Sequence, residues 1–388
     1  MQFNIKTKTL LSFLKVLGAA VPRKTVLPVL ENFHLTLKNG TMTAEASDGT
    51  VFLKTTIPVT NPEGEGNVLV PATHLTELLS TIDGAREITL KLDGEAMSII
   101  WNDGAGHAKI PVFSTEDWPE PHDPAEETST LWLFPLNTDT LCDALRHTIP
   151  MTIDDASKPA LEAVLLDLRM NGVSWAVSSD TRVLTRYPLA ADAGKDAKVL
   201  LPEQAGRLLM NVAAFLRHGS DKDKDAARIT VSTDGIRTHI SAGTFEMTCH
   251  HPTGKFPDYE KLLPQKGDTP LTINRQALLD SINRCSSVVT GSATLVIELT
   301  GSTIRTTTRD IAAKASAGED LQFCDYAGED LRIAFNAKKL TETLSLFQCE
   351  ELRFDFNGER RAALLTATDD DAEPLLAIIM PVGLPKEE

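Results

Sequence analysis

One phrase of this sequence is written three times. Residues 3–17 (FNIKTKTLLSFLKVL) recur as 134–148 (FPLNTDTLCDALRHT) and again as 271–285 (LTINRQALLDSINRC). Leu10, Leu14 and Leu17 fall on Leu141, Leu145 and Thr148, 131 residues later, and on Leu278, Ile282 and Cys285 in the third copy. Steps of four and three residues set these side chains on one helix face. A period this long is the size of a small domain and too large for a solenoid unit. A chain of 388 residues therefore reads as three similar domains of about 130 residues, not as a single core.

A second helical phrase follows in each third. Val68-Leu69-Val70-Pro71 leads into ATHLTELLSTI, Val199-Leu200-Leu201-Pro202 into EQAGRLLMNVA, and Ile333-Ala334-Phe335-Asn336 into AKKLTETLSLF. Proline suits a helix start because its missing N–H would have been unpaired there, and asparagine can cap the same place. Leu75 and Leu79 correspond to Gly206 and Met210 and to Leu340 and Leu344, so Gly206 is expected to weaken the middle helix.

Between the helices the pattern changes to alternation broken by Asn-Gly or Gly-Ser, as in FHLTLKNGTMTAEASDG, LLDLRMNGVSWAVSSDT and LVIELTGSTIRTTTRD. These predict antiparallel hairpins. Further hairpins follow each second helix. The expected fold class is α+β, with two helices per domain covering one face of antiparallel sheet. Residues 113–127, acidic and proline-rich, read as one linker, and 256–270 as another. Both hold an aromatic-proline pair, Trp118-Pro119 and Phe256-Pro257. The domains are placed at 1–125, 128–258 and 265–388.

Chemistry is sparse. The phosphate-loop, dinucleotide-binding, zincin and nucleophile-elbow signatures are all missing, and no cofactor is expected. Ser47-Asp48 and Ser178-Ser179-Asp180 can be read as nucleophile and acid, but a motif repeated beside turns is more often structural. Five widely spaced cysteines (Cys142, Cys249, Cys285, Cys324, Cys349) read as small buried hydrophobes in a reducing compartment. Cys249-His250-His251 has the elements of a metal site but sits in the alternating stretch FEMTCHH, which favours a strand. Asp369-Asp370-Asp371 reads as a solvated turn in preference to a cation site. No apolar run reaches the length of a membrane span and MQFNIKTKTL lacks a signal-peptide layout, so a cytoplasmic protein without a membrane partner is expected.

The net charge of −16, from 54 acidic and 38 basic residues, argues against a protein that coats nucleic acid. The cations are nevertheless placed at equivalent points. Lys8 and Lys15 lie on the first helix, Arg146 and His147 on its second copy, and Arg275 and Arg284 on the third. His74, Arg207, Lys338 and Lys339 lie on the other helix set, and Arg23-Lys24 on a loop. Acids on the same helices (Glu77, Asp139, Asp143, Asp280, Glu342) allow an ordinary solvated face. If equivalent helices line one surface, the same cations make an extended, weakly positive lining.

Several stretches in order carry a family resemblance: MQFNIKTKTLLSFL at the start, KTVLPVL from Lys24 to Leu30 followed by Glu31-Asn32, the Ser179-Asp180 turn, Phe256-Pro257-Asp258-Tyr259, and Met380-Pro381-Val382-Gly383-Leu384. With the triplication, they make the whole chain resemble the bacterial β sliding clamps, the DNA polymerase III β subunits. The resemblance implies a non-catalytic processivity factor of the polymerase III holoenzyme, a head-to-tail homodimer whose six domains close a ring with helices inside and strands outside. Neighbouring helix axes about 10 Å apart would close around a hole somewhat wider than a duplex. The implied partners are encircled double-stranded DNA, bound without sequence preference, a second copy of the chain, the replicative polymerase subunit, the clamp loader and other proteins with a clamp-binding motif. A ring that cannot leave sideways needs only weak phosphate contacts, which reconciles the acidic total with DNA.

By the same resemblance, Lys24 and Lys158 match basic DNA-contact positions, while Glu203-Gln204 stand where the family often has a basic pair and Arg207 could partly substitute. A peptide-binding groove is implied at Leu161, Ser179, Thr181, Arg182, Val183, Leu184, Pro257, Lys261, Leu262, Asn336, Ile378, Ile379, Met380, Pro381, Val382 and Leu384. Residues alone also allow 378–382 to be a buried final strand. Thr181-Arg182-Val183 replaces the family's usual Gly-His-Arg, and Pro385-Lys386-Glu387-Glu388 extends past Leu384. The dimer contact is placed between domain one and domain three, with Ala108, Ser287 and Val288 as positional candidates. The rival readings are a hydrolase using Asp48 and Asp180, which lacks any corroborating base, and a purely structural interaction protein.

Overall fold

The computed structural model describes residues 1–119, 132–191, 193–219, 228–233, 236–264, 270–301, 303–310, 313–321, 324–326, 328–368 and 374–385. Most of the first linker, part of the second, the run Asp369-Asp370-Asp371 and the tail residues Lys386-Glu387-Glu388 lie outside the described residues. Among the described residues there are six α-helices: α1 (Thr7–Gly18), α2 (Ala72–Thr81), α3 (Thr138–Thr148), α4 (Glu203–Gly219), α5 (Arg275–Ser286) and α6 (Ala337–Leu344). They alternate with antiparallel strands, an α+β fold. Among the described residues no helix is long and apolar enough to cross a membrane.

The repeated phrase folds alike each time. Leu10, Leu14 and Leu17, Leu141, Leu145 and Thr148, and Leu278, Ile282 and Cys285 are all buried. Each of the larger aliphatic side chains contributes roughly 1.5–3 kcal/mol by leaving water. Asn137 and Asn274 start the second and third copies, their side-chain oxygens accepting from the amides of Thr140 (3.1 Å) and Ala277 (2.9 Å). Lys6 holds this place before α1 without a side-chain cap. Pro71 occupies the cap position of α2, and Asn336 caps α6 by accepting from Lys339 N at 3.0 Å.

The middle helix holds its glycine within a longer run than the other five. Gly206 does not shorten α4, which runs 17 residues. Its buried face adds Ala205, Leu208, Leu209, Val212 and Ala213 to the buried Gly206, while Met210, in the place of Leu79, is half-buried. This fuller stripe, at helical spacing, offsets the about 1 kcal/mol that a mid-helix glycine costs.

The chain divides into two compact units: residues 1–145, 166–174 and 189–252, and residues 146–165, 175–188 and 253–388. In the first, a five-stranded sheet runs in the order Thr60–Glu63, Gln2–Lys6, Glu87–Asp93, Ala96–Trp101, Gly106–Pro111. An eight-stranded sheet runs Trp132–Asn137, Arg228–Thr233, Arg237–Ala242, Phe245–His250, Val51–Ile57, Thr41–Ser47, Asn32–Lys38, Gly66–Pro71. The Asn39-Gly40 turn holds both residues at positive φ (51° and 74°), as the Asn-Gly signal predicts. Helix α1 packs on α2, on α4 and on strands Thr41–Ser47 and Val51–Ile57, and Phe13 meets Phe215 and Phe245 at ring separations of 4.8 and 5.8 Å.

The linker beginning at Phe113 starts as ordered structure. Phe113 pairs with Leu69 through both backbone bonds, and buried Trp118 packs with Leu30 and Leu69 while its indole N–H donates to Glu45 at 3.1 Å.

In the second unit, Val183–Leu189, Leu376–Ile379, Ala363–Ala367, Glu351–Asp355, Leu271–Asn274 and Cys324–Asp325 pair in that order. A four-stranded sheet runs Ala315–Leu321, Thr303–Asp310, Thr294–Thr300, Leu331–Asn336. Helices α5 and α6 pack together over a core that includes Leu278, Ile282, Leu340, Leu344, Phe335 and Phe347.

Candidate peptide groove and basic surfaces

The repeated Ser-Asp turns are alike in detail, and in both the aspartate serves the backbone. Asp48 Oδ1 accepts from the amides of Thr50 and Val51, both at 2.8 Å, and Asp180 Oδ1 from Arg182 and Val183 at 2.9 and 2.7 Å. Such turns leave the carboxylates committed to structure, against the reading of Asp48 and Asp180 as catalytic acids. Cys249 lies in strand Phe245–His250, fully buried, with its thiol pushed up to about 12, first by burial and then by the charge of Asp48. Among the described residues no group of three or more potential metal ligands gathers.

From the Asp180 turn the chain enters strand Val183–Leu189, which pairs antiparallel with the last strand, Leu376–Ile379. Val183 faces Ile379 and Leu184 faces Ile378, and the ladder continues with Met380 N–H donating to Arg182 C=O at 2.8 Å. Side chains alternate between faces, so Arg182, Leu184, Ile378 and Met380 share one. Leu184 and Ile378 form its buried floor, while Met380 is 45% exposed. Past Met380, Val382 N–H donates to Ala334 C=O at 2.8 Å, which brings Pro381, Val382 and Leu384, all half-buried, toward the strand ending in Asn336. Asn336 both caps α6 and donates to Ser292 Oγ at 2.8 Å.

Two short 3-10 turns supply the remaining expected residues. Pro159–Leu161 buries Leu161, and a Cβ added at Gly254, two residues before Phe256, would stand 3.7 Å from the Ala160 Cβ. Tyr259–Leu262 buries Tyr259 and leaves Pro257, Lys261 and Leu262 exposed, Lys261 pairing with Asp258 at 2.7 Å. That hydrogen bond, then the charge of Asp258, raises the Lys261 pKa. Ser179 is buried and Thr181 exposed. The expected groove residues thus divide into a buried scaffold (Leu161, Ser179, Val183, Leu184, Ile378, Ile379), a half-buried set (Asn336, Pro381, Val382, Leu384) and an exposed rim (Thr181, Arg182, Pro257, Lys261, Leu262, Met380).

Sequence reasoning missed what secures the turn. Asp180 Oδ2 meets Lys339 Nζ at 2.7 Å, and Lys339 also reaches Glu342 at 3.0 Å. Desolvation lowers the Lys339 pKa, but hydrogen bonds to Asp180 and Glu342 outweigh it and the net shift is upward. Lys339, expected on a DNA lining, is engaged in this network.

The other expected lining cations are placed variously. His147 is buried and stacks on Tyr187 at 4.7 Å, so it is not an exposed lining charge. Arg284 grips Glu319 through two bonds (3.1 and 2.8 Å), Arg207 pairs with Glu203 at 2.6 Å, and Lys338 lies 3.8 Å from Glu342. Lys158 lies 4.0 Å from Asp155, whose pKa falls chiefly through Ser157 hydrogen bonds. Arg146 is exposed at the C-terminal end of α3. Arg23, Lys24 and His74 are exposed, without an acidic partner within 4.0 Å among the described residues. Ala108 lies in the edge strand Gly106–Pro111, and Ser287 and Val288 follow α5, both exposed.

Comparison with known proteins gives the family of the chain. A family model for the DNA polymerase III beta subunit, N-terminal domain, matches residues 1–122, and one for its C-terminal domain matches residues 260–382. Together they span more than half of the chain. The beta sliding clamp of Pseudomonas putida is 24% identical over 386 residues, covering 99% of this chain and 100% of the relative. That of Synechococcus elongatus is 24% identical with 96% of each covered. The crystal structure of the DNA polymerase III subunit beta from Pseudomonas aeruginosa superposes with a TM-score of 0.88 at 21% identity, over 99% of this chain and 100% of that one. The chain belongs to the DNA polymerase III β-subunit family, the sliding clamps, which are non-catalytic processivity factors of DNA replication.

Proposed function

We propose that two copies of this chain close head to tail around duplex DNA and tether the replicative polymerase through the groove at Met380. The clamp loader and other proteins with a clamp-binding motif share that groove. The observation that carries the ring is the pair of open sheet edges. Strand Gly106–Pro111 ends the five-stranded sheet and Ala315–Leu321 ends the four-stranded one. Exposed edges invite pairing by another chain, and joining these two unlike edges makes a heterologous contact, which gives a ring of two when the rotation it imposes is a half-turn. Ala108 lies on the first edge, and Ser287 and Val288 follow α5, which packs against the second. The proposed domains, 1–125, 128–258 and 265–388, supply three similar sectors per subunit.

Inside such a ring, Arg23, Lys24 and His74 are the cations most available to phosphates, because Lys158, Arg207, Arg284, Lys338 and Lys339 already serve acids of their own chain and His147 is buried. Weak, exchangeable contacts suit sliding, and a net charge of −16 discourages tight non-specific adhesion elsewhere. The protein works in the cytoplasm, needs no cofactor and catalyses no reaction. The test is the mass in solution by sedimentation equilibrium. A species of twice 42.2 kDa is expected, reduced to one chain by Lys109→Pro, which removes an outward-facing edge donor. A wild-type protein that stays at 42.2 kDa at micromolar concentration overturns the ring.

A further inference from the structure

We propose that a cavity on the four-stranded sheet binds a small organic phosphate, with Arg309 holding the phosphate group. The two faces of that sheet differ. Leu295, Ile297, Leu299 and Ile304 point into the core beneath α5. Alternation turns Val296, Thr307, Arg309, Ser316 and Gly318 to the opposite face, where Thr307 lies between Val296 and Gly318, and Arg309 stands opposite Ser316. A cavity of about 400 Å³ opens there, and Pro385 also lines it. None of the residues expected in the groove, on a DNA lining or at the dimer contact is part of its lining. Its floor is low because the residues are small. Val296 is buried, and Gly318 brings no side chain; a Cβ there would stand only 3.1 Å from Thr307 Cγ2.

The lining holds two arginines, Arg309 and Arg332, and several hydroxyls, but no acid among the described residues. The chain as a whole has the opposite balance, 54 acidic against 38 basic residues. Arg332 lies 2.9 Å from Glu298, and nearby Arg305 grips Asp320 through two bonds of 2.6 and 2.9 Å. Asp310, next to Arg309, accepts from the amides of Thr290 and Ala313, both at 3.0 Å. Arg309 itself is exposed, with no carboxylate within 4.0 Å among the described residues. A free guanidinium presents paired N–H donors to an oxyanion, and the hydroxyls of Thr294, Thr307 and Ser316 can donate to its remaining oxygens. Phosphate, with three acceptor oxygens on one centre, uses such a set more fully than a carboxylate. Cavities of this size hold one small molecule, and bare phosphate would leave most of the space empty. The room over Val296 therefore takes an uncharged body, a sugar or a nucleoside. In the proposed ring, pairing along Ala315–Leu321 would use backbone groups at the sheet edge and leave this face open.

Calorimetric titration of the full-length protein tests this. The probes are adenosine 5′-monophosphate, glucose 6-phosphate, their dephosphorylated forms adenosine and glucose, and inorganic phosphate, so the two esters separate a nucleoside body from a sugar body. One ester is expected to bind about 10-fold tighter than both its dephosphorylated form and inorganic phosphate. Arg309→Gln is expected to weaken that ester about 10-fold, and Arg309→Lys to keep part of the affinity. Arg305→Gln removes a paired arginine from the same face and should leave the affinity within about 2-fold. Should Arg309→Gln lose its far-ultraviolet circular dichroism, the partial loss in Arg309→Lys against the unchanged Arg305→Gln carries the test. No binding of either ester at up to about 10 mM overturns the site. Inorganic phosphate binding as tightly as both esters means an adventitious ion only, and overturns it as well. An affinity untouched by the Arg309 variants, or lowered equally by Arg305→Gln, overturns the role of Arg309.

Discussion

The turn at Ser47–Val51 and the turn at Ser179–Val183 share one scaffold. In each, the serine hydroxyl accepts from the amide two residues on, Gly49 at 2.9 Å and Thr181 at 3.1 Å. In each, the aspartate holds the next two amides. The strand that follows pairs with a strand near the end of a later repeat, and the first residue past that ladder donates back, His250 to Thr50 at 3.4 Å and Met380 to Arg182 at 2.8 Å. Pro28–Glu31 and Pro159–Leu161 supply matching 3-10 turns. The face differs. Arg182, Leu184, Ile378 and Met380 correspond to Thr50, Phe52, Thr248 and His250.

The difference separates what the fold needs from what the proposed groove adds. Both turns need the serine, the aspartate and the ladder, so these residues carry no information about ligands. The surplus in the second copy is an apolar floor, an exposed thioether and a free guanidinium. Thr181 adds a further mark: it holds φ at 76°, where the first copy uses Gly49 at 94°. A left-handed backbone at a β-branched residue costs about 1–3 kcal/mol, a strain that sits at the rim of the proposed groove.

Importing the first copy's residue gives the largest expected effect. Met380→His should weaken an apolar clamp-binding peptide about 30-fold, the scale of losing a buried anchor, with the far-ultraviolet circular dichroism unchanged. Unaltered affinity would place the binding surface elsewhere. A smaller effect tests the scaffold. Asp48→Ala and Asp180→Ala each strand two backbone amides, and each should lower the unfolding free energy by about 1–3 kcal/mol. Asp180→Ala also takes one of the two carboxylates from Lys339, which keeps Glu342, so it should cost about 1 kcal/mol more in urea denaturation. Equal losses would mean that the Lys339 pair contributes nothing.

How much of this was legible follows from the range of each interaction. The stripe Leu10, Leu14, Leu17 and its copies were readable because one helix face is a local pattern, as was the Asn39-Gly40 turn. The full buried face of α4 was not, because neighbouring apolar residues in a seventeen-residue helix offer several stripes and packing chooses among them. The Asp180–Lys339 bond joins residues far apart in sequence, with no local signal beyond the repeated Ser-Asp phase. His147 reads as a surface cation in the sequence, and only its stacking on Tyr187 reveals it as buried. The groove was named from a resemblance, and the division into scaffold and rim required the ladder.

The central claim is topological, and retention on DNA tests it most directly. Protein loaded by a clamp loader onto nicked circular plasmid should co-elute with the DNA in gel filtration and be lost within minutes once a single restriction cut linearises the plasmid. Equal retention before and after the cut would mean that the protein grips DNA instead of encircling it, and would contradict the account.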